Sequence, residues 1–273
     1  MNTISFMSAN YVARVLGYRM TDGWGQGERA TSDRFSPLDT FGEAFDEILR
    51  DARGLGFEAV DLWTAHLDWR WATDDHLSAA RELLARHGLA VASLAGSFGA
   101  TPEEFEAACR VARAVGAPVL GGFSDLLAID RSALVGLLYD YDLRFGIENH
   151  PEKHPREIEA RIGDGAGGRI GATIDTGWYG TQGYDAALAI EQLAEHVVHV
   201  HLKDVYSPGA HVTCAFGEGC VPLHRCVQAL ESIGYEGAAS VEHEPEDHDP
   251  TEECRRSLST LRGWLQDTAG ARA

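Results

Sequence analysis

Short apolar runs alternate with amphipathic stretches from one end of the chain to the other. The runs have the length of strands, and the stretches between them repeat apolar residues at the helical period. The runs that predict strands are ISFMSA, FEAVDLW, LAVASLAG, APVLGGF, RFGIEN, RIGATIDT, VVHVHLKD and AASVEHE. A stretch such as TPEEFEAACRVARAVG, which opens on Thr-Pro-Glu-Glu and closes on Gly, predicts the helix after a strand. Such strict alternation predicts parallel strands joined by crossover helices.

Eight strand–helix units occur in 273 residues, and this count favours closure into a barrel. We therefore predict an α/β fold, a single (β/α)8 TIM barrel with parallel strands, as one domain over residues 1–273. A doubly wound open sheet is the alternative, but the glycine fingerprint expected after its first strand is missing. Residues of about 11–40 form a long first β–α loop, polar from Gly17 to Pro37, which is either a lid or an ordered segment that contacts another subunit.

Composition bears on the partners more than on the fold. The formal net charge is −19, and such a negative field repels phosphate backbones and anionic lipids. We therefore expect a small-molecule partner, no nucleic acid and no membrane, and a homo-oligomer stays open. Five cysteines without a CxxC pair, and an N-terminus without a basic start, favour the reducing cytoplasm.

Four residues of metal-binding type stand at or near the ends of four successive predicted strands: Glu148, Asp175, His201 and Glu242. Barrel active sites lie at the C-terminal ends of the strands, and alternation places these side chains on the inward face. Three crowded carboxylates are unfavourable unless a cation compensates for their charge. We therefore expect one divalent metal ion, Mn²⁺ in the first place and Mg²⁺, Co²⁺ or Zn²⁺ as alternatives.

Each of these residues taken alone would be read as a helix cap or a solvated loop residue. Four coordinating side chains on four consecutive strands are a far more specific pattern than any one of them. His199 lies one pleat deeper than His201, so we expect it to support or pack rather than to bind the ion. Glu244 and Asp247 lie beyond the last strand, where a solvated loop is expected.

The motifs GIENHP, IDTGWYG, VVHVHLKD and ASVEHEPED resemble those of the xylose-isomerase-like TIM-barrel superfamily. The resemblance is to its sugar phosphate isomerase/epimerase family, which includes inosose isomerases and dehydratases, ketose 3-epimerases and, more distantly, apurinic endonucleases. It covers essentially the whole chain and is strongest from Gly146 to Pro250. By position it implies the same four metal ligands, with Glu148 and Glu242 as the catalytic residues that exchange the substrate's protons.

The resemblance implies a divalent-metal-dependent isomerase or epimerase of a sugar or cyclitol, which transfers protons through an enediolate. The alternative is a metal-dependent lyase or dehydratase that acts on keto-sugars or 3-oxo-glycosides, either alone or as a subunit of a heteromer. A non-catalytic barrel subunit is a third reading, and the acidic charge disfavours a nuclease. Trp178 follows DTG where many relatives have His, and the Arg that ketose 3-epimerases carry after HxH is missing, which argues against 3-epimerase specificity.

Five further residues near the strand ends are candidate substrate contacts. Lys203, His150 and His66 can donate hydrogen bonds to substrate oxygens. Trp63 and Trp178 can stack against a sugar face, although packing at the barrel rim explains them equally well. Basic residues that would hold a phosphate are sparse near the motifs, which favours a non-phosphorylated sugar or cyclitol.

Overall fold

Eight parallel strands form a closed barrel in the computed structural model, which describes residues 3–270. The strands, including an added strand β8, are β1 Thr3–Met7, β2 Ala59–Trp63, β3 Ala90–Ser97, β4 Val119–Phe123, β5 Arg144–Glu148, β6 Ile170–Asp175, β7 Val197–Ser207, β8 Ala210–Cys214 and β9 Ala238–Glu242. The last barrel strand, β9, pairs with both β7 and β1, so the barrel has no open edge. The predicted (β/α)8 TIM barrel is confirmed.

Helices cover the outside of this barrel. They are α1 Trp24–Phe35, α2 Leu38–Leu55, α3 Asp74–His87, α4 Pro102–Val115, α5 Leu126–Ile129, α6 Arg131–Asp140, α7 Pro155–Ile162, α8 Thr176–Thr181, α9 Ala186–Gln192, α10 Leu223–Ser232 and α11 Thr251–Gly270. The capping signal of α4 acts as predicted, because the Thr101 hydroxyl accepts the Glu104 N–H and the Glu104 carboxylate accepts the Thr101 N–H. Within residues 3–270, none of the helices combines the length and apolar content needed to cross a bilayer.

The first β–α segment differs from the loop that the sequence predicts over about 11–40, because it contains the 12-residue helix α1. Gly25 and Gly27 have low helix propensity, which is why the sequence favours a loop. The helix is stabilised by close packing: a Cβ at Gly27 would lie 2.6 Å from both Val12 Cγ2 and the Val12 carbonyl oxygen. At the start of α1, the Trp24 ring lies 5.4 Å from that of Trp63 at the barrel mouth. A lid role for this segment stays a prediction.

After β7 the sequence favours a loop, because Gly209 and Gly219 interrupt the apolar pattern, but the structure has a hairpin there. Strand β7 continues to Ser207 and the chain returns as β8, which pairs with it in antiparallel fashion. The carboxylate of Asp204 then fixes the following turn by accepting three backbone N–H groups at 2.9–3.1 Å. These belong to Gly217, Gly219 and Val221. The hairpin forms part of the wall of the barrel mouth.

Candidate metal centre and active site

The four predicted metal ligands lie together at the C-terminal end of the barrel. Glu148 ends β5, Asp175 ends β6, His201 lies within β7 and Glu242 ends β9. One ligand atom from each lies within 4.8 Å of the others, and all four residues are buried. The structure therefore brings together the complete set proposed from the sequence, while their role as ligands stays a prediction.

Hydrogen bonds between neighbouring strand ends hold these residues in place. The Asn149 side chain donates to the Asp175 carbonyl and accepts the Asp175 N–H, each at 2.9 Å. The Thr176 hydroxyl accepts the Lys203 N–H at 2.8 Å and donates to the Lys203 carbonyl at 2.9 Å. Asp175 also caps α8, because its Oδ1 accepts the Trp178 N–H at 3.0 Å. Its Oδ2 is thereby directed into the site.

His201 lies between two of the carboxylates. Its Nδ1 is 2.6 Å from Glu148 Oε1 and 3.4 Å from Glu242 Oε2. Burial lowers the pKa of His201, but the charges of Glu242 and Glu148 outweigh it and raise the pKa to about 10. Burial raises the pKa of Glu148, but the His201 ring and the neighbouring cations lower it to about 2. The imidazolium and the Glu148 carboxylate thus stabilise each other's charge.

A buried lysine lies among the acidic residues. Lys203 Nζ is 2.9 Å from Asp175 Oδ2, 3.1 Å from Glu242 Oε1 and 3.0 Å from Glu244 Oε2. Burial lowers the pKa of Lys203, but these three carboxylates raise it well above its usual value. Burial and the nearby Glu244 raise the pKa of Glu242 well above its usual value, although Lys203 opposes them. Lys203 therefore neutralises part of the carboxylate charge. The sequence-based argument attributes this compensation to a metal ion alone.

Glu244 belongs to this cluster, and the solvated loop predicted for it is wrong. Its side chain is only 8% exposed, and its Oε2 accepts a hydrogen bond from Lys203. Its backbone N–H donates to the hydroxyl of Thr213 on β8 at 3.2 Å. Sequence alone does not reveal this contact, because the hairpin that encloses Glu244 is not predicted. Asp247, in contrast, is 87% exposed as expected.

The donor set fits one divalent ion. Three carboxylates and one imidazole are the ligands that Mn²⁺, Mg²⁺, Co²⁺ and Zn²⁺ accept in proteins. Glu242 Oε2 is buried and makes no hydrogen bond to the described part of the chain, although His201 Nδ1 lies 3.4 Å away. A buried carboxylate oxygen in this state is available to a cation. The residues present therefore match the ion that the sequence implies.

A second polar layer lies deeper in the barrel. His199 Nε2 is 3.0 Å from Asp61 Oδ2, which also accepts a hydrogen bond from the Ser5 hydroxyl at 3.2 Å. A ring nitrogen of His201, one of His199 and a carboxylate oxygen of Asp61 lie within 4.8 Å of one another. This arrangement agrees with a supporting role for His199, and it adds Asp61 as the partner of that ring.

Trp63 and His66 lie on one side of the barrel mouth. The His66 ring stands edge-on to Trp63 at 5.5 Å, and its Nδ1 is 2.9 Å from the Ser8 hydroxyl. Both residues are buried, with exposed fractions of 5% for Trp63 and 1% for His66. Trp24 of α1 covers Trp63, so α1 shields part of the wall proposed to contact substrate.

His150 and Trp178 lie on the other side and form an aromatic row. His150 Nε2 is 3.8 Å from Glu148 Oε2, and its ring lies between Phe123 and Trp178 at 4.6 and 4.9 Å. Trp178 stacks on His211 of β8 with ring centres 3.8 Å apart. The sequence does not indicate that His211 lies at the site, because the hairpin that carries it is not predicted. These ring contacts make the row one wall of the barrel mouth.

Comparisons with known proteins agree with the barrel fold. The chain is similar in structure to a D-tagatose 3-epimerase-like protein, with a TM-score of 0.72, 17% identity and coverage of 99% of this chain and 100% of that chain. It is also similar to a xylose isomerase-like TIM barrel protein from Mycobacterium smegmatis in complex with magnesium. There the TM-score is 0.69, with 16% identity and coverage of 84% of this chain and 90% of that chain. At such identities the likeness establishes the fold alone.

A curated relative matches a shorter part of the chain. L-ribulose-5-phosphate 3-epimerase UlaE of Escherichia coli (strain K12 / DH10B) is 31% identical over 82 residues, which are 30% of this chain and 28% of that enzyme. The match thus spans less than a third of the relative's length. A family model described as the xylose isomerase-like TIM barrel matches residues 49–264, a range that contains all four proposed ligands. The chain therefore belongs to the xylose isomerase-like TIM barrel family.

Proposed function

We propose that this protein is a divalent-metal-dependent isomerase or epimerase of a sugar or cyclitol. The observation that carries the proposal is the convergence of Glu148, Asp175, His201 and Glu242, whose ligand atoms lie within 4.8 Å of one another. The names of two similar proteins, a D-tagatose 3-epimerase-like protein and an L-ribulose-5-phosphate 3-epimerase, support the reaction class. The four residues would hold one ion, Mn²⁺ in the first place, and when bound it supplies Lewis-acid stabilisation of the enediolate oxygens.

Glu148 and Glu242 exchange the protons of the substrate in this proposal. They enter the site from β5 and β9, which are separated in the barrel by β6 and β7. One carboxylate removes the proton from the carbon next to the carbonyl, and the other carboxyl returns a proton. Return to the opposite face of the same carbon gives an epimer, and return to the adjacent carbon gives an isomer.

The remaining residues of the mouth orient the substrate. Lys203 Nζ directs its three N–H groups at Asp175, Glu242 and Glu244, so it donates to a substrate oxygen in exchange for one of these contacts. His150 occupies the corresponding position beside Glu148. Trp178, stacked on His211 of β8, forms the wall on one side, and Trp63, supported by His66, forms the wall on the side of α1.

Metal-dependent exchange of substrate protons tests the proposal. The purified protein is stripped with a chelator, reconstituted with Mn²⁺ and incubated in D₂O with a panel of ketoses, inososes and 3-oxo-sugars. We expect deuterium at the carbon next to the carbonyl only when the metal is present. Glu148→Gln and Glu242→Gln should each slow this exchange by about 100-fold or more. Glu195→Gln, which changes an exposed glutamate outside the site, should leave it unchanged.

The products separate the alternatives. An unsaturated product in place of an epimer or isomer would favour the lyase or dehydratase that the sequence leaves open, because loss of a leaving group follows from the same enediolate. Absence of exchange with every substrate of the panel, in protein that has bound the metal, would count heavily against proton-transfer catalysis.

A further inference from the structure

Three further side chains of metal-binding type come together outside the barrel mouth, near the start of α11. They are His243, His248 and Glu253, and one ligand atom from each lies within 4.8 Å of the others. His243 directly follows Glu242, but its ring contacts Thr213 and Glu253 rather than the residues of the mouth. The function proposed above uses none of the three.

Both imidazoles present Nε2 to the same carboxylate oxygen. Glu253 Oε2 is 2.9 Å from His248 Nε2 and 3.2 Å from His243 Nε2. The His243 approach lacks the angles of a hydrogen bond, and this buried nitrogen has no other hydrogen-bond partner in residues 3–270. Ligand atoms held by a tetrahedral zinc ion at about 2.0–2.1 Å lie about 3.3 Å apart. The 3.2 Å separation at His243 has that size, and its nitrogen lies beside the oxygen as two ligands of a shared ion do. The 2.9 Å contact of His248 is a hydrogen bond that the ion would replace.

The other nitrogen of each ring is already held. His248 Nδ1 is 2.7 Å from Asp247 Oδ1, and His243 Nδ1 is 3.0 Å from the Thr213 hydroxyl. A partner at Nδ1 fixes the direction of the ring and leaves the Nε2 lone pair for a metal, as in carboxylate–histidine–zinc arrangements. The two rings are therefore oriented towards one point beside Glu253.

The position of the cluster allows an ion to enter. The His243 side chain is fully buried, whereas those of His248 and Glu253 are 48% and 19% exposed. We infer that His243, His248 and Glu253 form a second divalent-metal site, independent of the one in the barrel mouth. Two imidazoles and one carboxylate favour zinc, with water or the second Glu253 oxygen as the fourth ligand.

The site has a structural role at the rim of the barrel. Between its two histidines lie Glu244, which accepts a hydrogen bond from Lys203, and Glu246, whose carbonyl accepts the Met20 N–H at 3.3 Å. An ion held by both histidines and by Glu253 ties this segment to α11. It therefore restrains the loop that positions Lys203 and the segment before α1, and takes no part in proton transfer.

Zinc stoichiometry tests the inference. Chelator-stripped protein is titrated with Zn²⁺ by isothermal calorimetry and with Co²⁺ by visible absorption, which reports tetrahedral coordination. All samples carry Cys220→Ser, because Cys220 is the exposed thiol among the described cysteines. His248→Ala should lose one equivalent of zinc, or bind that equivalent at least tenfold more weakly. It should also lose the part of the Co²⁺ absorption that comes from the outer site. His224→Ala, which removes an exposed histidine on α10, should bind as the parent does.

Glu148→Gln separates this site from the one in the barrel. It should lose the barrel equivalent and keep the outer one, and the melting temperature of His248→Ala in chelator should match that of the parent. A parent that binds no zinc overturns the outer site, and so does His248→Ala with unchanged stoichiometry and affinity. A single equivalent that survives Glu148→Gln but not His248→Ala supports the outer site and contradicts the barrel ion of the proposed function.

Discussion

At the scale of single residues, Lys203 sets the balance of charge in the site. Its ammonium lies 2.9–3.1 Å from three buried carboxylates, of which Asp175 and Glu242 are also proposed metal ligands. A cation in this position compensates part of their charge. It also repels a divalent ion that shares the same oxygens, because two positive charges a few ångströms apart in a buried site interact strongly.

Replacement of Lys203 should therefore lower the stability of the protein but raise its affinity for a divalent metal ion. In Lys203→Met the aliphatic stem is kept and the charge is lost, so three carboxylates are left without their cation. We expect the metal-free protein to lose about 3 kcal/mol of unfolding free energy in chemical denaturation. Divalent ions should bind at least tenfold more tightly in calorimetric titration, since the repulsion is removed. Lys153→Met, at an exposed position, serves as the control, and weaker metal binding by Lys203→Met would contradict the argument.

The sequence predicts where the four proposed ligands lie, but not how Lys203 is used. Glu148, Asp175 and Glu242 each close an apolar strand, so strand ends and side-chain alternation are enough to bring them together. The contacts of Lys203 depend on the direction of a long flexible side chain. They also depend on Glu244, which lies in a loop whose path is set by tertiary contacts and not by periodicity.

At the scale of elements, helix α1 is defined by close packing. A Cβ at Gly27 would lie 2.6 Å from both the side chain and the carbonyl oxygen of Val12, and 3.0 Å from Met20 Sδ. The backbone oxygen cannot move without the chain that carries it. At Gly25, in contrast, the nearest atom to such a Cβ is Arg29 Nη1 at 3.2 Å, the end of a flexible side chain.

The same substitution should therefore have opposite effects at two glycines of one helix. Gly27→Ala should lower the unfolding free energy by about 1–3 kcal/mol, because α1 must move away from Val12. Gly25→Ala should leave stability unchanged or raise it by up to about 1 kcal/mol through helix propensity. Denaturant titration of both variants checks the prediction. Equal changes in unfolding free energy would show that the close contact of α1 with Val12 does not limit substitution at Gly27.

Hydrophobic periodicity predicts most helices and strands of this chain. It misses the elements whose structure depends on tertiary contacts. The helix Pro102–Val115 lies within the stretch that predicts it, since the capping signal and Pro at its start act locally. Helix α1 is missed because its glycines have low intrinsic propensity, and the packing that offsets this is remote in sequence. The hairpin of β7 and β8 is missed although Pro208 and Gly209 form a turn signal between residues that suit strands.

At the scale of the whole molecule, barrel closure follows from the number of strand–helix units and the length of the chain. Eight units in 273 residues suffice for that prediction. The details of strand register do not follow, because register shifts occur between Val60 and Asp61 and between Ala172 and Thr173. Such irregularities redirect side chains locally. The register shifts therefore help to determine which polar side chains contact each other inside the barrel. Simple alternation along each strand does not predict these contacts.

Two neutral histidines, the buried His66 and the half-buried His211, should make the whole fold sensitive to mild acid. Burial lowers the pKa of His66 to about 3, and burial together with Lys203 lowers that of His211 to about 3. An unfolded histidine titrates near pH 6.5, so below that pH the unfolded chain binds protons that the folded chain does not. Stability is therefore complete above about pH 6.5 and falls as the pH drops, by at most about 1.4 kcal/mol per pH unit for each ring.

Denaturant titrations between about pH 6 and pH 5 test this effect by comparing the parent with variants that lack one ring, because other groups of shifted pKa, such as Glu242, contribute to both. The Glu148 carboxyl, whose pKa is about 2, adds its own loss only in stronger acid. His66→Gln and His211→Gln should each flatten the slope of unfolding free energy against pH, because glutamine binds no proton in either state. His224→Gln, at an exposed position, should leave the slope as it is. A slope that neither His66→Gln nor His211→Gln changes would mean that these rings are charged in the folded protein.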